Sequence, residues 1–185
     1  FVPKAIVRRV ANRYIAGETL DDALRVAAGL NERGMRATLD ILGEDIHNLD
    51  QARRAVNGYL QLLEQVDRRK LNANVSIKLT QIGLKVDAGV CLELAEGLVR
   101  RAQELNTFVR IDMEDSPCTT ATLEIYRALR KHDSNVGVVV QAYLRRTIND
   151  VISPEDIKPA FRLCNGANAA PREISYHAMR VINPH

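Results

Sequence analysis

Short apolar runs alternate with longer amphipathic segments along most of the chain, and this alternation constrains the possible folds more than any other feature. The runs that predict strands lie at 36–42, 73–79, 107–113, 136–142 and 161–164. Apolar residues recur at helical spacing between the first four runs, and the segment before the fifth run is shorter and less regular. Strands that alternate with helices in this way are typical of a parallel sheet in an α/β protein.

Helices are also predicted ahead of the first strand. Apolar residues repeat at helical spacing over 7–14. Thr19, followed three residues later by Asp22, predicts the N-cap of a second helix that ends at Gly34. Asn48 predicts a similar cap for the helix that follows the first strand.

Two parallel architectures fit this order of elements, the open doubly wound sheet and the closed barrel. A doubly wound sheet that binds a dinucleotide needs a glycine-rich turn after its first strand, and the residues at 42–45 lack GxGxxG. Each of the second to fifth runs instead carries a polar residue at or near its C-terminal end, namely Lys78, Asp112, Gln141 and Arg162. In a barrel, that rim is where catalytic groups from successive strands converge.

We therefore predict an α/β fold of the (βα)8 TIM-barrel type, of which this chain contains about the first five βα units. The chain is interpreted as a single domain, 1–185, with N-terminal helices at 1–34 and the strands with their helices at 35–185.

Each of the four rim residues also has a purely structural interpretation. Lys78 and Asp112 could form an ion pair inside a barrel, and Arg162 could pair with Asp112 for stability. Gln141 could satisfy backbone groups at a strand end. Their joint placement favours a shared site, and alternation adds support, because Ser76 shares a strand face with Lys78.

Composition excludes several classes of function. The net charge is +3, from 26 basic and 23 acidic residues with the two signs interspersed, so no basic stripe predicts nucleic-acid binding. Three widely spaced cysteines and four histidines have no metal-ligand spacing, so no metal site is predicted. The odd cysteine count favours the reducing cytoplasm. No apolar run approaches the ~20 residues that a membrane helix needs, which predicts a protein that is soluble or at most peripheral to a membrane.

Six segments resemble one known family in this order along the chain. They are AGETLDDAL at 16–24, ATLDILGE at 37–44, VSIKLTQIGL at 75–84, FVRIDMEDS at 108–116, VGVVVQAYLRRT at 136–147 and FRLCNGA at 161–167. All six resemble the monofunctional bacterial proline dehydrogenases. The resemblance implies FAD-dependent oxidation of L-proline to 1-pyrroline-5-carboxylate, with hydride transfer to flavin N5, as the first step of proline catabolism. It also implies a quinone as electron acceptor, and a cytoplasmic enzyme that can contact the inner face of a membrane peripherally.

The resemblance assigns the substrate-facing roles residue by residue. Lys78 matches the family lysine that meets the proline carboxylate, and a compact ammonium suits a carboxylate in a dry pocket. Asp112 matches the active-site aspartate. Arg162 matches an arginine near flavin N5, where a fixed cation would stabilise the arriving negative charge. Glu44 matches a glutamate that pairs with a substrate-binding arginine late in the family sequence.

The cofactor-facing roles follow in the same way. Met113 matches a residue that lies against the flavin, and Gln141 matches a glutamine that hydrogen-bonds the isoalloxazine edge. The turn of Asn165, Gly166 and Ala167 matches the family turn whose backbone runs along the FAD, with the glycine allowing close approach.

The chain departs from the family at this same turn. The family pattern here is R-L-x-K-G-A-Y-x-E-P. This chain has Asn165, Asn168 and Ala170 in place of the lysine, tyrosine and glutamate of that pattern. The chain also ends after the fifth predicted strand, before the late helix whose paired arginines clamp the substrate in the family, which suggests a fragment of a longer protein.

These departures keep two alternatives open. The first is a non-catalytic or degenerate barrel that binds little or no flavin. The second is a Schiff-base lyase that uses Lys78 as its nucleophile.

Overall fold

Five strands form one parallel sheet in a computed structural model that describes residues 16–43, 46–153, 157–166 and 170–177. The strands are β1 Ala37–Asp40, β2 Ala73–Ile77, β3 Val109–Ile111, β4 Val136–Gln141 and β5 Phe161–Cys164. They lie side by side in sequence order, whereas a doubly wound sheet reverses its order at a switch point. The sheet is therefore a half-barrel, which confirms the predicted fold class.

Helices connect the strands. They are α1 Leu20–Glu32, which precedes β1, followed by α2 Leu49–Arg68, α3 Ala88–Glu104, α4 Thr119–His132 and the short α5 Thr147–Ile152. No helix in these parts of the chain combines the length and the apolar composition that a membrane span requires.

Local sequence signals explain where the first helices begin. The Thr19 side chain accepts a hydrogen bond from the Asp22 backbone and the Asp22 side chain accepts one from Thr19, so the predicted cap of α1 is confirmed as a capping box. The Asn48 side chain accepts from the backbone N–H of Gln51 at 3.0 Å, which confirms the predicted cap of α2. The helix predicted over 7–14 lies outside the described residues.

The two faces of the sheet differ in chemistry. One face packs on the helices and buries apolar side chains; the largest fully buried ones include Tyr59, Tyr126, Ile77, Leu98 and Ile111. The opposite face, which we call the inner face, carries the alternate residues. Because side chains alternate along a strand, this face holds most of the polar groups of the sheet.

Strand register places the inner-face residues in rows. Asp40, Ser76, Arg110 and Gly137 are neighbours across β1 to β4. The next row toward the C-terminal ends contains Lys78, Asp112, Val139 and Arg162, since Ile77 pairs with Ile111, Ile111 with Val138, and Val139 with Arg162. Gln141 and Cys164 form the row beyond.

Four strands, β1 to β4, are shorter than the apolar runs that predicted them. Lys78 and Asp112 directly follow β2 and β3 instead of ending them, although the Asp112 N–H still donates to the backbone oxygen of Ile77 at 2.9 Å. After Lys78 the chain enters a 3₁₀ turn at Thr80–Ile82. Arg162 lies inside its strand, as the second residue of β5, and not after the strand end. Its pairing with Val139 still brings it level with Asp112.

Candidate active site

Asp112 joins two strands on the inner face through one carboxylate oxygen. Its Oδ1 accepts a hydrogen bond from Arg162 at 2.7 Å and another from the Ser76 hydroxyl at 2.6 Å. The Arg162 side chain is 46% exposed and that of Asp112 is 22% exposed, so solvent reaches the pair. This arrangement realises the structural pairing of Arg162 with Asp112 and also leaves a guanidinium edge accessible to a ligand.

Lys78 is held from the first strand. Its Nζ donates to Oδ2 of Asp40 at 2.9 Å, and the two side chains are 16% and 31% exposed. Asp40 lies one row below on the neighbouring strand, so the ammonium reaches down and across the inner face. The sequence analysis gave Asp40 no role. The signal that could have identified it is its place as a charged residue at the end of the first predicted strand, where the neighbouring strands also carry polar residues.

A fully buried tyrosine supports Asp40 from the helix layer. The Tyr59 hydroxyl, on α2, lies 3.0 Å from Oδ1 of Asp40 and 3.1 Å from Oε1 of Gln81. Burial, followed by the charge of Asp40, raises the pKa of Tyr59 above its ordinary value, so the hydroxyl remains a proton donor. Tyr59 is one of the residues at helical spacing between the first and second predicted strands, and this spacing alone could not show that its hydroxyl reaches the site.

Gln141 presents an unused acceptor at the end of β4. Its side chain is buried, and Nε2 donates to the backbone oxygen of Met113 at 3.3 Å. Its Oε1 is buried and has no hydrogen-bond partner within the described part of the protein. A buried amide oxygen without a donor is costly unless a ligand supplies one. The position therefore suits the N–H of a bound group.

Gly166 lies against an aromatic ring in the turn after β5. Its φ is +97°, a conformation that favours glycine, and a Cβ at this position would overlap the ring of Tyr143. The backbone N–H of Tyr143 donates to the oxygen of Asn165 at 3.0 Å. Gly166 thus lies close to Tyr143, while Asn165 is exposed, and the predicted approach of Gly166 to the cofactor stays a prediction.

Arg110 braces the lower part of the site. Its guanidinium stacks over Phe108, 4.7 Å from the ring centroid, and donates to the backbone oxygen of Ala160 at 3.0 Å. A Cβ on Gly137 would overlap this guanidinium, so glycine leaves the space through which Arg110 crosses β4. Burial lowers the pKa of Arg110, and the charge of Arg162 acts in the same direction. The hydrogen bond from Arg110 to Ala160 holds the start of β5, and thereby helps to set the position of Arg162 along the sheet.

The structure brings Lys78, Asp112, Gln141 and Arg162 to the same end of the sheet, through the contacts given above. Met113 is mostly buried beside Gln141. Glu44, Ala167 and Asn168 lie outside the described residues. The roles that sequence resemblance assigns to these residues stay predictions.

Known proteins match this chain over most of its length. The family model described as Proline dehydrogenase matches residues 23–158. Proline dehydrogenase 1 of Bacillus subtilis (strain 168) is 31% identical over 175 residues, which cover 95% of this chain and 58% of that protein. Proline dehydrogenase of Deinococcus radiodurans is 31% identical over 172 residues, which cover 90% of this chain and 56% of that protein. The chain thus spans a little over half the length of these curated relatives.

A solved structure has the same architecture. It is the crystal structure of proline utilization A (PutA) from Bdellovibrio bacteriovorus inactivated by N-propargylglycine, with a TM-score of 0.79 and 26% sequence identity. The match covers 89% of this chain and 21% of that chain.

Proposed function

The chain belongs to the proline dehydrogenase family, and from this premise we propose that its inner face is part of a site that oxidises L-proline to 1-pyrroline-5-carboxylate. The observation that carries the proposal is a pair of cation–carboxylate contacts on the inner face. Lys78 contacts Asp40 at 2.9 Å and Arg162 contacts Asp112 at 2.7 Å, and the buried Gln141 lies one row beyond Arg162 at the end of β4. A small zwitterion requires fixed charges of both signs, and these two contacts supply them.

Lys78 is the proposed contact for the proline carboxylate. The Lys78 side chain is 16% exposed, so little water would screen its charge once a ligand is bound beside it. The hydrogen bond to Asp40 orients the ammonium. The carboxylate would therefore meet a cation whose position is already set.

The residues present fit FAD as the proposed cofactor. Gln141 has an orphaned buried acceptor that an isoalloxazine N–H would satisfy, and Gly166 gives a turn whose backbone lacks a Cβ. Met113, Gln141, Asn165, Gly166 and Ala167 would hold the group. When bound, FAD supplies the two-electron acceptor that the oxidation requires.

Arg162 is the proposed source of charge stabilisation during the oxidation. Proline loses a hydride from carbon and a proton from its ring nitrogen, so negative charge moves toward the acceptor as the hydride leaves. The Arg162 guanidinium is held in a fixed direction by Asp112, and Ser76 fixes Asp112 in turn. A cation that is oriented before the reaction stabilises this charge without reorganisation.

Family membership also suggests how the cycle is completed. A quinone would reoxidise the reduced cofactor, and the enzyme would meet it by peripheral contact at the inner face of a membrane from the cytoplasm. The exposed position of Asn165, where the family has a lysine, is the feature that favours the alternative of a barrel with weak flavin binding.

Flavin retention tests the proposal. The purified protein, incubated with FAD and passed through gel filtration, is expected to keep a visible flavin spectrum, and acid denaturation is expected to release intact FAD. Gln141→Leu keeps the approximate volume of the side chain and removes the acceptor, so it should lower the retained flavin. A colourless wild-type protein would favour the degenerate barrel. Borohydride trapping of a carbonyl compound on Lys78 without flavin would favour the lyase instead.

A further inference from the structure

We propose that Tyr59 and Asp40 are positioning residues that fix the Lys78 ammonium and thereby set the affinity of the site for its substrate carboxylate. The inference rests on the proposed function, in which Lys78 contacts that carboxylate. It adds Tyr59, which lies on a helix and not on a strand of the inner face, to the residues that control substrate binding.

Asp40 uses its two oxygens for two different partners. Oδ2 accepts from Lys78 Nζ at 2.9 Å, and Oδ1 lies 3.0 Å from the Tyr59 hydroxyl. A carboxylate held at both oxygens cannot rotate about its last bond without breaking one of these contacts. Tyr59 therefore sets the orientation of the Asp40 carboxylate that contacts the Lys78 ammonium.

The surroundings of the Tyr59 hydroxyl direct its single proton to Asp40. The hydroxyl oxygen accepts from the backbone N–H of Ile41 at 3.4 Å, which leaves the O–H free to donate elsewhere. The backbone oxygen of Ile41 already accepts from Nε2 of Gln81 at 3.1 Å. Of the remaining acceptors, the charged Asp40 forms a stronger hydrogen bond than the neutral Gln81 amide.

The network is buried and closely surrounded. Tyr59 is fully buried and Gln81 is 4% exposed. A Cβ on Gly43 would come within 2.6 Å of Gln81 Nε2, so the chain after β1 closes directly over the amide. Lysine has a flexible four-carbon stem, and a fixed carboxylate partner removes that freedom before the substrate arrives.

Tyr59→Phe is the test variant, because it retains the buried ring and deletes only the hydroxyl. We expect the KM for L-proline to rise about three- to tenfold, the effect of losing one hydrogen bond, with kcat within about twofold. The experiment uses the protein with its natural flanking sequence. In a Lys78→Met background the same change should leave KM unaltered, since a residue that acts through Lys78 has nothing left to position.

Tyr126→Phe is the matched control. Tyr126 is also fully buried on a helix, and its hydroxyl accepts from the backbone N–H of Ala160 at 2.8 Å, just before β5, whereas Lys78 follows β2. Its loss should lower thermal stability without raising the KM for proline. If Tyr59→Phe behaves like Tyr126→Phe, Tyr59 is a structural residue and the inference is overturned.

A second readout does not depend on turnover. Acylation of Lys78 by an amine-reactive reagent, followed by peptide mass spectrometry, should be several times faster in Tyr59→Phe and in Asp40→Asn than in wild type and Tyr126→Phe. Unchanged labelling in both test variants would refute the inference, as would a KM effect that persists in the Lys78→Met background. A wild-type protein that does not oxidise proline would refute the proposed function, and the labelling rates would still decide the positioning role.

Discussion

Replacing Arg162 with alanine removes the guanidinium that Asp112 holds at 2.7 Å on the inner face of the half-barrel. We expect this change to slow the reduction of flavin by proline far more than it weakens proline binding. The reason is that the charge of Arg162 becomes important only when negative charge reaches the acceptor.

The expected loss of stability on replacing Arg162 is small, whereas the expected loss of reaction rate is large. Arg162 is 46% exposed, and ion pairs of this kind contribute about 0–1 kcal/mol to stability. Asp112 keeps the Ser76 hydroxyl as a partner at 2.6 Å, so the carboxylate is not stranded. A loss of up to about 1 kcal/mol lowers the Tm of a chain of this size by roughly 2–4 °C. Removing a preorganised donor from a developing negative charge instead costs about 10²–10³-fold in rate.

Single-turnover reduction measured by anaerobic stopped flow gives the rate and the proline affinity separately. Arg69→Ala is the matched control, because Arg69 contacts Asp21 at 2.6 Å with its side chain 42% exposed, on the helical surface. It should change Tm by a similar small amount and leave the reduction rate at the wild-type value. Arg162→Lys should recover only part of the rate, since it keeps the charge and loses the planar guanidinium.

One kinetic pattern would refute this reasoning. If Arg162→Ala raises KM and leaves kcat unchanged, Arg162 is a clamp for the substrate and its proposed part in charge stabilisation is wrong.

Two further predictions concern the turn after β5. Asn165→Lys restores the cation of the family pattern, so we expect more FAD to be retained after gel filtration, and equal flavin content in both proteins would show that the position does not contribute to binding. Gly166→Ala introduces a Cβ that overlaps Tyr143 at φ +97°, so it should lower both Tm and flavin retention. Gly97→Ala, in a helix with open space at the Cβ position, is the control and should stabilise the protein by about 0.5–1 kcal/mol while flavin content stays constant.

Sequence signals that act over a few residues predicted the structure well. Thr19 and Asp22 formed the expected capping box, and Asn48 capped the helix after β1. Strand alternation also placed Ser76 and Lys78 on one face. These features depend on neighbouring residues or on a fixed period, so a single sequence contains the information they need.

The contacts that assemble the site depend on distant residues, and the sequence could not specify them. Lys78 pairs with Asp40, 38 positions away, and the Tyr59 hydroxyl reaches Asp40 from a helix whose pattern indicated only core packing. The level of Arg162 follows from the register between β4 and β5, which apolar patterns leave undetermined. The structure places Gly166 against Tyr143, a contact that the sequence did not predict, and its expected approach to the cofactor stays a prediction.

Anaerobic addition of L-proline to the FAD-reconstituted protein tests the central claim most directly. The protein is prepared with its natural flanking sequence and, separately, as residues 1–185. We expect proline to bleach the visible flavin absorbance in the first preparation. In the second it should do so far more slowly or not at all, because β1 and β5 each pair on one side only among the described residues and leave the site open to water. A first preparation that retains FAD and is not bleached by proline would contradict the account.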